Sequence, residues 1–211
     1  MNVLEQIGHS GIVPVVVIQD VAQAVPTALA LLDGGIRTME ITFRTPCAAD
    51  AIRAVAREVP EMLVGAVTVL TVDQAVLAQE AGAQFIVSPG YDDHVVAYCI
   101  TEGIPVIPGC VTPTEIMSAL SRGLTILKFF PANIYGGLPA MRSLAGVFRD
   151  VRFVPTGGIG AEDIENYLTQ PYIFAIGGSW LCTSADIVEG RFDRITELAR
   201  QASESVSHTD L

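Results

Sequence analysis

Histidine, cysteine and basic side chains are all scarce in this chain of 211 residues. The three histidines, His9, His94 and His208, argue against a three-histidine metal site or a Ser-His-Asp triad, and His208 stands in a polar tail. The four cysteines, Cys47, Cys99, Cys110 and Cys182, never fall within four residues of one another. That spacing excludes CxxC and zinc-ribbon patterns, so reduced, buried thiols are expected. Lys and Arg number 12 against 23 Asp and Glu, a formal net charge of -11. Such a field repels a phosphate-rich polymer and argues against nucleic acid as a partner. A small anion remains bindable, because a few local donors outweigh a diffuse surface charge. Long apolar runs are missing too: none reaches the roughly 18 residues of a membrane helix. Met1 to Ser10 carries Glu5 and no Lys or Arg, unlike a secretory signal, so the cytoplasm is the expected location. The chemistry left open is that of Lys, Glu, Arg, Thr and backbone amides.

What is present is a folded composition. Half of the residues are hydrophobic and only 17% are charged, the reverse of a disordered chain. No low-complexity linker divides the sequence, so one domain over residues 1–211 is expected. Eight short apolar runs alternate with helix-like segments: Ile12–Ile18, Thr38–Arg44, Leu63–Val69, Phe85–Ser88, Pro105–Ile107, Thr125–Phe130, Arg152–Pro155 and Ile173–Ile176. They recur about every 20 to 26 residues, the length of a strand with its covering helix. Most are apolar at consecutive positions, as in parallel strands buried on both faces. Asp20 precedes a helical pattern at Val21–Leu32, which stops at Asp33-Gly34-Gly35. Thr71 precedes Val72–Glu80, and Thr112-Pro113 opens Thr114–Ser121. Thr45-Pro46 opens Cys47–Glu58, with proline expected in the first turn. Eight such units predict a closed (β/α)8 barrel. An open doubly wound sheet would place a glycine-rich turn after its first strand, where this chain has Gln19-Asp20.

A barrel carries its active site at the C-terminal ends of its strands. Alternation along Met39–Arg44 puts Glu40, Thr42 and Arg44 on one face and Met39, Ile41 and Phe43 on the other. The polar set is expected to point inward, either as catalytic groups or as a buried Glu40–Arg44 ion pair. Lys128 interrupts the apolar run Ile126–Phe130. Burial lowers a lysine pKa and frees the lone pair that attacks a carbonyl to form an imine. The alternative is a Lys128 held charged by Glu40. Thr68, at the end of the third run, is either a hydroxyl donor at the mouth or an ordinary strand residue. Thr156-Gly157-Gly158-Ile159 and Gly177-Gly178-Ser179 stand after the last two runs, where barrel enzymes bind phosphate on bare backbone N–H groups or simply turn.

These motifs resemble the family of 2-keto-3-deoxy-6-phosphogluconate (KDPG) and 4-hydroxy-2-oxoglutarate (KHG) aldolases. The likeness runs from about Gly11 to Ala199. It rests on Glu40-Ile-Thr-Phe-Arg44-Thr, Gly65-Ala-Val-Thr68-Val-Leu, Val87-Ser-Pro-Gly90, Lys128-Phe-Phe-Pro-Ala132, Pro155-Thr-Gly-Gly-Ile159 and Gly177-Gly-Ser-Trp-Leu181. The resemblance implies an α/β fold, a single (β/α)8 TIM barrel with an N-terminal helix, assembled as a homotrimer without metal or other cofactor. It implies cleavage of the phosphorylated sugar acid to pyruvate and glyceraldehyde 3-phosphate, in the Entner–Doudoroff pathway, or of the unphosphorylated 4-hydroxy-2-oxoglutarate. It makes Lys128 the imine-forming lysine and Glu40 the general acid/base. Arg44 and Thr68 would hold the carboxylate region, with Phe130 beside it. Gly157, Gly158 and Ser179 would receive phosphate, with Thr156 and Pro89 lining the site. The family motif has a glycine where this chain has Val67, a change expected to remove access to positive φ and to narrow the pocket or shift Thr68. Two rival readings remain: a phosphate-binding isomerase or synthase barrel, and a barrel kept only for ligand binding or assembly.

Overall fold

The computed structural model describes residues 1–207; His208 lies outside them. Eight parallel strands are present: β1 (Ile12–Val16), β2 (Thr38–Thr42), β3 (Leu63–Val67), β4 (Ile86–Val87), β5 (Val106–Ile107), β6 (Ile126–Phe129), β7 (Arg152–Pro155) and β8 (Ile176–Gly178). Six form one curled sheet in the order β5-β4-β3-β2-β1-β8, and β6 pairs with β7. Isolated parallel bridges, Gly109 to Lys128 and Thr156 to Gly177, stand between the two sheets.

An N-terminal helix, α1 (Val3–Ser10), precedes β1 and is closed by a capping box between Asn2 and Glu5. The following helices are α2 (Ala24–Asp33), α3 (Ala48–Glu58), α4 (Val72–Glu80), α5 (Asp93–Thr101), α6 (Pro113–Ser121), α7 (Gly137–Val147), α8 (Ile164–Leu168), α9 (Ser184–Val188) and α10 (Phe192–Ser207). Thr112 and Glu115 form a capping box at α6, with Pro113 in its first turn. Val21–Gln23 is a 3-10 turn rather than α-helix. Pro46 lies one residue before the cap of α3, which is Cys47, so it leads into the helix instead of occupying its first turn.

The apolar side chains divide into two cores. Met39 and Ile41 join the larger one, between strands and helices, and Phe43 packs on it. The smaller core lies on the other, inner face of the strands and includes Val13, Val67, Phe85, Val87, Ile107, Val154 and Ala175, with Ile7 of α1. Alternation along β2 therefore sorts its residues as expected, with Glu40 on the inner face. Gly65, in register with Glu40, has no side chain because the Phe85 ring occupies that space. The eighth strand begins later than its apolar run. Ile173 makes only an isolated bridge to Phe153, and the strand includes Gly177 and Gly178. A Cβ at Gly177 would overlap Thr156, and one at Gly178 would overlap the Trp180 ring. These glycines thus permit close packing within a strand, rather than forming the loop after it.

Candidate active site

Glu40 stands on β2 and Lys128 on β6, strands of different sheets. Their side chains meet in the buried space between the two sheets. Lys128 Nζ lies 3.6 Å from Glu40 Oε1, and both side chains are 5% exposed. Lys128 Nζ also sits 5.3 Å from the centre of the Phe130 ring. Burial pushes the Glu40 carboxyl above its ordinary 4.5, and the attraction of Lys128 opposes this without reversing it. Burial pulls the Lys128 amine below its ordinary 10.5, against the opposing pull of Glu40, while the Arg44 charge adds to the lowering. Both directions favour uncharged forms. A nucleophilic amine beside a general acid needs shifts in these directions.

A cavity of about 160 Å³ opens on this lysine. Lys128, Arg44, Thr68, Phe130, Thr156, Gly157, Gly158 and Ser179 all line it. Glu40 and Pro89 are not in its lining. Glu40 reaches it through Lys128, and Pro89 is half-buried in the segment after β4. Two larger hollows, of about 500 and 670 Å³, flank α1 and contain none of these residues.

Arg44 does not extend β2 as the sequence pattern predicted. The strand ends at Thr42, and Arg44 occupies the turn that follows, exposed but facing the cavity. No Glu40–Arg44 ion pair forms within 4.0 Å among the described residues, so the alternative based on that pair is removed. The turn leaves the guanidinium accessible to a ligand anion. Thr68 has φ of 63°, the one positive value at a non-glycine position among the described residues. A β-branched residue there costs about 1–3 kcal/mol. Val67 remains in β3, outside the positive-φ set, so its consequence is volume in the cavity wall and not backbone strain. Gly157 and Gly158 have φ of 97° and 71°, a turn that side chains would resist.

Val15 and Val17 also line the cavity and were not singled out by the sequence, and Ile159 and Gly177 of the two glycine clusters join them. Val15 and Val17 are an i,i+2 pair near the end of β1, a signal hidden within an unbroken valine run. Among the described residues, no three His, Cys, Asp or Glu side chains converge as metal ligands. All four thiols are free; Cys47 is half-buried and the other three are buried, where burial pushes Cys99 up to about 11 and Cys110 up to about 12.

Residues 3–198 match the profile of the KDPG and KHG aldolases. The chain belongs to that family. It is a lyase of the aldolase type. It is 47% identical to the 2-dehydro-3-deoxy-phosphogluconate aldolase of Treponema pallidum (strain Nichols), over 98% of each chain. Among solved structures, it resembles the KDPG aldolase of Zymomonas mobilis ZM4 with 3-phosphoglycerate. That pair is 42% identical, with a TM-score of 0.88 over 95% and 94% of the two chains. It also resembles the Legionella pneumophila KDPG aldolase holding pyruvate as a covalent carbinolamine. That match has 37% identity and a TM-score of 0.92, over 96% and 98%.

Proposed function

We propose that this aldolase cleaves KDPG to pyruvate and glyceraldehyde 3-phosphate through an imine on Lys128, as the closing step of the Entner–Doudoroff pathway. The observation that carries the reading is the desolvated Lys128–Glu40 contact at 3.6 Å, opening on a cavity. Relatives named for this substrate and one captured as a pyruvate carbinolamine support it.

The uncharged Lys128 amine attacks the C2 carbonyl to give a carbinolamine. Glu40, whose carboxyl burial shifts toward the protonated form, donates its proton to the departing hydroxyl, and water leaves as the iminium forms. The Glu40 carboxylate then accepts the C4 hydroxyl proton through a relay. The C3–C4 bond breaks, its electron pair moves toward the iminium nitrogen, and glyceraldehyde 3-phosphate is released. Glu40 returns the proton to C3 of the enamine, and water hydrolyses the resulting pyruvate imine. Arg44, exposed at the cavity rim, offers its guanidinium to the keto-acid carboxylate, with the Thr68 hydroxyl beside it. Phe130 packs against the bound pyruvate. Gly157, Gly158 and Ser179 receive the phosphate, Thr156 supports Gly177, and Pro89 lies further out.

The Gly109–Lys128 and Thr156–Gly177 bridges support closure of the eight strands into a single-domain (β/α)8 barrel. The family resemblance supports a homotrimer, and a phosphorylated sugar-acid substrate fits action in the cytoplasm. KHG is the second substrate reading, favoured by the Val67 side chain in the wall of a small cavity. Comparing kcat/KM for KDPG and KHG separates the two. The imine is tested with pyruvate and borohydride. One pyruvate-derived adduct should appear on Lys128; its absence, or its appearance on another lysine, refutes the assignment.

A further inference from the structure

Thr42 is fully buried, and its hydroxyl has no hydrogen-bond partner among the described residues. A buried hydroxyl left in that state is costly, so such a group needs an account. Its position supplies one. Thr42 follows Glu40 by two residues on β2 and shares its inner face. It stands in register with Val67 of β3, which lines the cavity, just as Glu40 stands in register with Gly65. Arg44, two residues further along, lines the same cavity. Thr42 therefore lies between the acid and the cavity mouth. Its neighbours on that route are apolar: Val67 beside it, with Val15 and Val17 on the wall. Neither Glu40 nor Thr42 lines the cavity itself, and Thr42 is the polar side chain of β2 between Glu40 and the end of the strand.

We propose that the Thr42 hydroxyl is a positioning residue that hydrogen-bonds the water relaying protons between Glu40 and the substrate carbons. The hydroxyl fixes the relay and takes no proton itself. Resting on the imine reading, this assignment separates steps that the reading alone leaves together. Imine formation at Lys128 should not need Thr42, whereas proton delivery to the enamine should.

The test compares Thr42→Val, which keeps the shape and deletes the hydroxyl, with Thr42→Ser, which keeps the hydroxyl. Each is assayed for borohydride capture of pyruvate, exchange of pyruvate methyl hydrogens with deuterium from solvent, and KDPG cleavage. Thr42→Val should retain capture, slow exchange and kcat together by about tenfold, and leave KM within roughly twofold, since one hydrogen bond is lost. Thr42→Ser should restore most of both rates. Unchanged exchange in Thr42→Val overturns the proposal, and slowed cleavage alone would mean a contact to the C4 hydroxyl instead. Equal impairment of both variants would assign Thr42 to packing and also overturns it. If Thr42→Val does not fold, Thr42→Ala against Thr42→Ser makes the same comparison. Failure of capture in the native protein would instead strike the imine reading.

Discussion

Replacing Lys128 with Met should make stability fall as pH rises, whereas the native pair should contribute no such slope. In the unfolded chain, between the ordinary values of 4.5 and 10.5, Glu40 is ionised and Lys128 protonated, so the two hold one proton. In the folded chain the buried pair also holds one proton, on whichever partner it resides. Protons bound are equal in the two states, and the pair adds no pH dependence in the middle of that range. Lys128→Met breaks this balance. The buried Glu40 carboxyl loses the attraction that opposed its raised pKa, so it stays protonated in the fold and ionises on unfolding. The folded state then binds the extra proton. Stability declines from near pH 4.5 upward, approaching 1.4 kcal/mol per pH unit, about the value for one proton, until the folded pKa is passed. Glu40→Gln should show the mirror image. A buried Lys128 with lowered pKa is neutral in the fold and protonated when unfolded, so stability rises with pH up to about 10.5. Were both groups ionised, their attraction at 3.6 Å would be about 5 kcal/mol at an effective dielectric of 20. That is comparable to the several kcal/mol per ion lost on desolvation. Urea unfolding at pH 5, 6, 7 and 8, with the native curve subtracted, measures both slopes. The Glu40→Gln, Lys128→Met double variant should be flat. A flat Lys128→Met curve would refute the claim that burial governs the protonation of this pair.

Arg44→Ala should raise KM for the keto acid at least tenfold by removing the cation at the cavity rim. The same change should move the limb of the pH profile set by Lys128 upward, since Arg44 lowers that amine; an unmoved limb and KM would place Arg44 outside the site. Thr68→Gly should lower activity without the loss of stability expected for a β-branched residue, because relief of the left-handed backbone offsets the entropy of glycine; thermal unfolding and a cleavage assay report both. Gly65→Ala should destabilise the fold by about 1–3 kcal/mol through overlap with the Phe85 ring, a loss readable by denaturant titration and partly recovered by Phe85→Leu.

The apolar runs located seven of the strands, and met the eighth only at Ile176, because the strands are mostly buried on both faces, a local property that composition records. Helix starts were legible where side chains cap their own backbone, as at Thr71 and Thr112. Glu40 and Lys128 stood out because a charge within an apolar run is costly unless it is used. Their 3.6 Å approach was beyond any periodicity, since only the curl of the sheet brings β2 to face β6. The same holds for Arg44, which the chain turns toward the cavity after the strand has ended. Thr68 adopts a backbone conformation that no threonine prefers by itself, so the surrounding packing imposes it. Gly177 and Gly178 read as a loop because glycine is conformationally free. Tertiary contact with Thr156 and Trp180 gives them their role within a strand. Residue chemistry and local burial were thus written along the chain, whereas distances between strands, and hence the pKa shifts of the central pair, arise only when the curled sheet brings β2 to face β6 and buries both side chains.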